Sequence, residues 1–321
     1  MVRIAFRSHC HETREKNPDL KMSIRILLTG VSGQVGGALI PRLSGNDLIL
    51  ADRKTLDLAR PNAIGSVLDR LAPELIINPA AYTAVDKAED ERELAMTING
   101  EAPAALARWA AARNVPLIHF STDYVFDGGG RQPWREDDPT GPLSVYGVTK
   151  LAGENAIRSA GGVFLIMRTS WVYAAKGTNF VRTIARLARE RSELRVVADQ
   201  IGAPTSAASI ADAVGKIVSC GSGSLRDCCK NAQGLVHFAA TGEASWHGFA
   251  VAIIDGLRSR GVTLAVEQVH PIESAQYPTR AKRPSNSRLD LARFRQVFGI
   301  SPPSWQEALA SELDLLATEL R

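Results

Sequence analysis

The stretch TGVSGQVGGAL, residues 29–39, follows directly on the apolar run IRILL. Its glycines Gly30, Gly33 and Gly36 recur at every third position. Glycine lets the backbone turn sharply and come close to a bound group. The helix expected to start here would present free N–H groups and a partial positive charge, which suits a phosphate. Between a strand and a helix, this spacing reads as a dinucleotide cradle. The bland alternative is a tight structural turn.

Outward from that stretch, short apolar runs recur: 24–30, 47–52, 74–80, 116–122, 162–170 and 193–199. Their compact apolar character fits strands covered on both faces. Helical patterns such as ELAMTINGEAPAALARWAAAR (93–113) lie between them. The alternation predicts an α/β fold, a Rossmann-like doubly wound parallel sheet, with ligands at the C-terminal ends of its strands. Beyond about residue 175 the alternation weakens. We expect a dinucleotide-binding domain over 23–175, with 193–218 returning to its sheet. Residues 176–192 and 219–321 are expected to form a smaller C-terminal substrate-binding region. GSGS (221–224) reads as a surface loop.

Composition narrows the function. The chain has 321 residues, 45% of them hydrophobic, enough for a sizeable core. Its 38 basic and 34 acidic residues leave a net charge of +4, too even for a nucleic-acid binder but suited to an anionic small molecule. Cys10, Cys220, Cys228 and Cys229 lack zinc-ligand spacing. No apolar run is long enough to cross a membrane, and residues 1–22 lack a signal peptide's apolar core, so the expected location is cytoplasmic. Those residues read as a flexible extension, although His9, Cys10 and His11 leave a metal site open. Met22 stands just before the first strand, so 1–21 read as an upstream start of the reading frame.

Asp52 ends the second apolar run, where an acid accepts from the adenosine ribose. Arg53 and Lys54 follow and suit a 2′-phosphate, so both NADPH and NADH are expected, NADPH preferred. Asp57 and Leu58 are placed beside the adenine, and small Ala80 and Ala81, with Tyr82, leave room for the cofactor. SVYGVTK (144–150) puts Tyr146 and Lys150 one helical turn apart. A phenol ionises only near pH ~10, and a neighbouring cation would lower that. Thr122 ends the fourth run and completes a proton-donor site for a carbonyl being reduced. Alone, Y-x-x-x-K reads as a surface pair; Thr122 and the glycine turn decide otherwise.

TGVSGQVG, NPAAYTAVDKAE, STDYVFDG, PLSVYGVTKLAGE, RTSWVY, DQIGAPT and AKRPSNSRLD together carry a resemblance. The chain resembles the extended short-chain dehydrogenase/reductase superfamily and, within it, is similar to the dTDP-4-dehydrorhamnose reductase family. The resemblance implies reduction of a 4-keto sugar nucleotide at C4. Tyr146 is then the proton donor, Lys150 its tuning partner and nicotinamide-ribose contact, and Thr122 a hydrogen-bond donor to the reacting oxygen. Gly33, Gln34, Val35, Asp52, Asp57, Leu58, Ala81, Tyr82 and Thr83 match cofactor contacts; Thr122, Asp123 and Trp171 match sugar contacts, with plain core the alternative for Trp171. Arg283 and Asn286 stand in a basic loop that either meets the nucleotide diphosphate or is solvated. Some members hold Mg²⁺ at a dimer contact through glutamates, but Ala38 and Ala208 stand at two of those positions, and Glu193 and Asp199 do not match them. No metal site is therefore expected, and the chain should be a monomer or a metal-independent dimer. Two rival readings remain: a non-catalytic regulatory subunit of the methionine adenosyltransferase type, and an epimerase or dehydratase with retained NAD. The dehydratase's Asp-Glu pair after the threonine is absent, since Thr122 is followed by Asp123-Tyr124.

Overall fold

The computed structural model describes residues 23–219 and 222–321. The extension 1–22, with His9, Cys10 and His11, and Cys220 lie outside the described residues. The first half alternates strand and helix: β1 (Arg25–Thr29), α1 (Gln34–Arg42), β2 (Asp47–Ala51), α2 (Pro61–Leu71) and β3 (Leu75–Asn78). Next come α3 (Val85–Ala88), α4 (Arg92–Met96), a π-helical turn (Thr97–Glu101), α5 (Ala102–Ala112), β4 (Leu117–Thr122), α6 (Val145–Ala160) and β5 (Phe164–Thr169). The second half holds β6 (Val172–Tyr173), α7 (Phe180–Glu190), β7 (Glu193–Val197), β8 (Ile201–Gly202), β9 (Thr205–Ser206), α8 (Ala207–Ser219) and α9 (Ser222–Asn231). It closes with β10 (Leu235–His237), β11 (Ala244–Ser245), α10 (Trp246–Arg258), β12 (Gln268–Ile272), β13 (Asn286–Ser287), α11 (Ala292–Phe298) and α12 (Trp305–Leu320).

Six strands form one parallel sheet in the order β10-β5-β4-β3-β1-β2. Successive side chains point to opposite faces. Thus Ile26 and Leu28 of β1 join one apolar cluster, with α1 and α8, while Leu27 joins another, with α2 and α5. Both faces are covered, which is why the strands read as compact apolar runs. The strand order reverses between β1 and β3, and sheets of this kind take ligands at such a reversal, outside the strands' C-terminal ends. A separate apolar cluster gathers α7, α10 and α12 in the second half.

Two organisational expectations are corrected. Residues 193–197 do not return to the large sheet: β7 pairs with β12 in a two-stranded ribbon. Glu193 and Arg195 are exposed while Leu194 and Val196 are buried, an alternation that suits a ribbon with one wet face. The strand that does extend the sheet is β10, from the region assigned to substrate binding, and Leu235, Val236 and His237 are all buried. Helix α8 shares an apolar cluster with α1 and the sheet. The predicted GSGS loop is likewise revised, because Ser222–Ser224 open helix α9.

Candidate active site

The turn after β1 is shaped by its glycines. Gly30 has φ +58°, and a Cβ there would lie 2.9 Å from the Ala80 backbone. A Cβ on Gly36 would meet the Gly30 carbonyl oxygen at 2.1 Å. Gly33 donates its N–H to that same oxygen at 2.9 Å and caps α1 through its backbone alone, without a side-chain cap. The first turn of α1 has no acidic residue. Gln34 and Val35 are half-buried, and Gln34 Oε1 is a buried acceptor with no partner among the described residues.

After β2, Asp52 Oδ1 accepts from Lys54 N at 3.0 Å and from Thr55 N and Oγ1 at 2.8 Å. These bonds hold its carboxyl below the usual range and leave Oδ2 out of the turn. Arg53 is exposed beside it. Asp57 Oδ1 accepts from Ala59 N at 3.0 Å, and Leu58 packs into the apolar cluster around α2. Ala81 is half-buried and Thr83 exposed after β3. Tyr82 is clamped by Asn99, whose Oδ1 accepts from Tyr82 N at 2.8 Å and whose Nδ2 donates to Tyr82 O at 3.0 Å. The Tyr82 hydroxyl donates to Glu91 at 2.5 Å, which pushes its pKa up to about 12.

The end of β4 and the start of α6 assemble the predicted catalytic group. Thr122 and Asp123 are buried, and the Thr122 hydroxyl donates to Asp123 Oδ1 at 3.0 Å. Burial pushes Asp123 up to about 6, against the lowering influence of Ser287 and Thr122. Ser144 caps α6 by accepting from Gly147 N at 3.2 Å, which fixes where the helix begins and so where Tyr146 stands. Two glycines then press α6 home: a Cβ on Gly147 would lie 2.2 Å from Tyr124 O, and one on Gly153 2.2 Å from Asn99 O. Tyr146 meets Tyr124 edge-on at 5.5 Å. Lys150 is 2% exposed and donates from Nζ to the Phe120 carbonyl at 2.6 Å. Burial lowers it to about 8, with Glu154 acting the other way.

The expected electrostatics of Tyr146 need correction. The phenol is raised far above the ordinary tyrosine value, first by burial and then by the Asp123 charge, with Thr122 pulling it down. Lys150 Nζ is turned toward β4, where it donates to the Phe120 carbonyl and lies 3.3 Å from His119 Nε2. Removing the phenolate from water outweighs a cation turned toward β4.

The two basic-loop candidates separate. Arg283 donates to Asp86 at 2.6 Å and to the Tyr124 hydroxyl at 3.3 Å, which brings it to the edge of the Tyr124–Tyr146 pair. Asn286 is not available to a ligand. Its Nδ2 donates to Gly129 O and Gln132 O at 3.2 and 2.8 Å, and its Oδ1 accepts from Arg288. This carboxamide closes the loop at 129–132, because a buried amide must find partners. Trp171 is half-buried, has φ +48° and stacks on Trp246 at 3.6 Å. Residues absent from the sequence-based set are Asn78, Asn99, His119, Gly147 and Gly153. The two glycines in α6 were the available signal; the others depend on partners about 17 to 50 positions away.

Among the described residues, no group of three or more His, Cys, Asp or Glu is arranged to hold a metal ion, and no helix is long and apolar enough to cross a membrane. Residues 24–318 match the family model described as the RmlD substrate binding domain. A dTDP-4-dehydrorhamnose reductase of Burkholderia thailandensis is 43% identical over 294 residues, 89% of this chain and 97% of the relative. One from Escherichia coli K12 is 42% identical over 303 residues, 92% and 99% of the two chains. The crystal structure of a dTDP-4-dehydrorhamnose reductase from Bacillus anthracis in complex with NADP superposes with a TM-score of 0.82 at 33% identity, covering 92% of this chain and 100% of that one. With strand order, the Thr122-Tyr146-Lys150 cluster and near full-length matches in agreement, the chain belongs to the RmlD substrate binding domain family, alongside the dTDP-4-dehydrorhamnose reductases.

Proposed function

We propose that this chain reduces the C4 ketone of dTDP-4-dehydro-L-rhamnose to the alcohol of dTDP-L-rhamnose, with NADPH as preferred coenzyme and NADH as a second. The residues present fit such a dinucleotide. Gly30 and Gly36 leave no room for a Cβ, and α1 opens with uncapped N–H groups and no first-turn acid to oppose a phosphate. Asp52 Oδ2 stands ready for a ribose hydroxyl and Arg53 for a 2′-phosphate, while Gln34, Val35, Ala81, Tyr82 and Thr83 stand beyond the C-terminal ends of β1 and β3. A bound nicotinamide cofactor supplies the hydride.

The protein's own residues handle the proton. Tyr146 gives its phenol proton to the C4 oxygen as the carbonyl becomes an alcohol. Its raised pKa keeps it protonated until that oxygen becomes strongly basic. Thr122 offers a second hydrogen bond to the same oxygen. Lys150, as ammonium, supplies the positive charge of the site. Asp123, whose Oδ2 has no partner among the described residues, and Trp171 address the sugar, and Arg283 the diphosphate.

The observation that carries this reading is the gathering of Thr122, Tyr146 and Lys150 at the strand ends that also bear the glycine turn. The test is coenzyme oxidation with dTDP-4-dehydro-L-rhamnose supplied by the preceding epimerase. Steady turnover supports the reading; no turnover by folded protein overturns it. Turnover and solution mass are expected to be the same in EDTA and in added Mg²⁺, as a monomer or a dimer without a metal bridge.

A further inference from the structure

A chain of buried polar side chains lies behind Lys150. Thr29, Asn78, His119 and Lys150 come from β1, β3, β4 and α6, and all are buried. The Thr29 hydroxyl donates to Asn78 Oδ1 at 2.6 Å. Asn78 Nδ2 lies 3.0 Å from His119 Nδ1, and His119 Nε2 lies 3.3 Å from Lys150 Nζ. Thr29 immediately precedes Gly30, so the chain joins the cofactor turn to the lysine.

The first link sets the direction of the rest. A separation of 2.6 Å suits O–H···O and is short for N–H···O, so the carboxamide oxygen faces Thr29 and the NH₂ faces His119. His119 Nδ1 is then an acceptor. Burial, with the Lys150 charge second, keeps this imidazole neutral. A neutral imidazole has one N–H, which here must sit on Nε2 and point at Lys150. A free amine accepts that hydrogen; an ammonium has no lone pair to do so.

We propose that His119, held in its Nε2–H tautomer by Asn78 and Thr29, is a positioning residue that sets the ionisation of Lys150 by opposing the ammonium form. The inference rests on the role assigned to Lys150 in the proposed reduction. The other groups around the lysine do not replace this contact. Glu154, on the same helix, favours the ammonium but is bound at 2.9 and 2.7 Å by Arg168 of β5. Tyr146 stands one turn earlier, and the Asp123 carboxyl beyond β4 acts on Tyr146. Burial works on Lys150 in the same direction as the proposed contact.

The test is ¹⁵N NMR of histidine- and lysine-labelled protein without coenzyme or sugar, so that it reads the device and not the reaction. His119 is expected with a bare Nδ1 and a protonated Nε2. In His119→Gln, which adds no charge, the side-chain oxygen can turn to the ammonium. Lys150 should then titrate about one pH unit higher, a tenfold change in its proton affinity. The alkaline limb of kcat/KM should move with it. A protonated Nδ1 in the native protein overturns the proposal, as does a folded His119→Gln variant in which Lys150 titrates unchanged or lower. If that variant does not fold, the native tautomer decides alone. Native tautomer and lysine titration as expected, with no reduction of the keto-sugar, would overturn the proposed function and leave this inference standing.

Discussion

The glycine turn at 29–36 and the Thr122-Tyr146-Lys150 cluster stand at the same edge of one sheet, yet they are built differently. The turn is made of backbone. Its shape depends on missing side chains, Gly30 against Ala80 and Gly36 against Gly30, and its partners lie in or next to the strand-to-helix turn or at the end of one neighbouring strand. The cluster is made of side chains from β4 and α6, Thr122 and Lys150 buried and Tyr146 half-buried, and its properties come from what surrounds them. Spacing suffices to build the first. For the second, spacing brings the residues together but does not set their protonation, since burial reverses the shift that a tyrosine-lysine pair suggests by itself.

If the chemistry belongs to the cluster and not to the turn, Tyr146→Phe should have the largest effect. We expect kcat to fall by about 10²–10⁴-fold, the usual weight of a general acid, with coenzyme affinity nearly unchanged. Steady-state kinetics and a coenzyme titration by fluorescence read the two separately; native turnover in the variant would remove Tyr146 from its role.

The reciprocal break is Gly36→Ala, whose methyl would meet the Gly30 oxygen at 2.1 Å and force the turn to shift. Overpacking of about 1–3 kcal/mol should appear mainly as weaker coenzyme binding, by about 10–100-fold, with kcat at saturation largely kept. Equal loss in both quantities would show that the turn and the cluster are not separable.

A pH profile sharpens the contrast. Lys150 is lowered to about 8, so its ammonium is intact below that value and is lost as pH rises through it. The kcat/KM of the free enzyme should therefore bend down near pH 8, where an ordinary lysine would bend it near ~10.4. A profile flat to pH 10 would return Lys150 to ordinary behaviour.

The smallest expected effect belongs to the exposed rim of the cradle. Arg53→Ala should reduce the NADPH-to-NADH ratio of kcat/KM by about tenfold, equivalent to ~1.4 kcal/mol. An unchanged ratio would show that Arg53 does not read the 2′-phosphate.

The amino-acid sequence by itself determined the parallel sheet through β5, because strands covered on both faces are mostly apolar on both, as in Leu27 and Ile76 and their neighbours. It also determined the glycine turn and the pairing of Tyr146 with Lys150, since each follows from spacing within a few residues. Only the tertiary structure decided that β10 and not β7 extends the sheet: three buried residues carry little periodic signal, whereas β7's alternation becomes readable only beside β12. It likewise decided that Asn286 holds a loop while Arg283 reaches Tyr124, although both stand in the same basic stretch. The Thr29-Asn78-His119-Lys150 chain lies beyond any local reading, because its links join positions 31 to 49 residues apart. Hydrogen-bond direction and desolvation depend on neighbours in space, and those neighbours are assigned only when the strands and α6 come together.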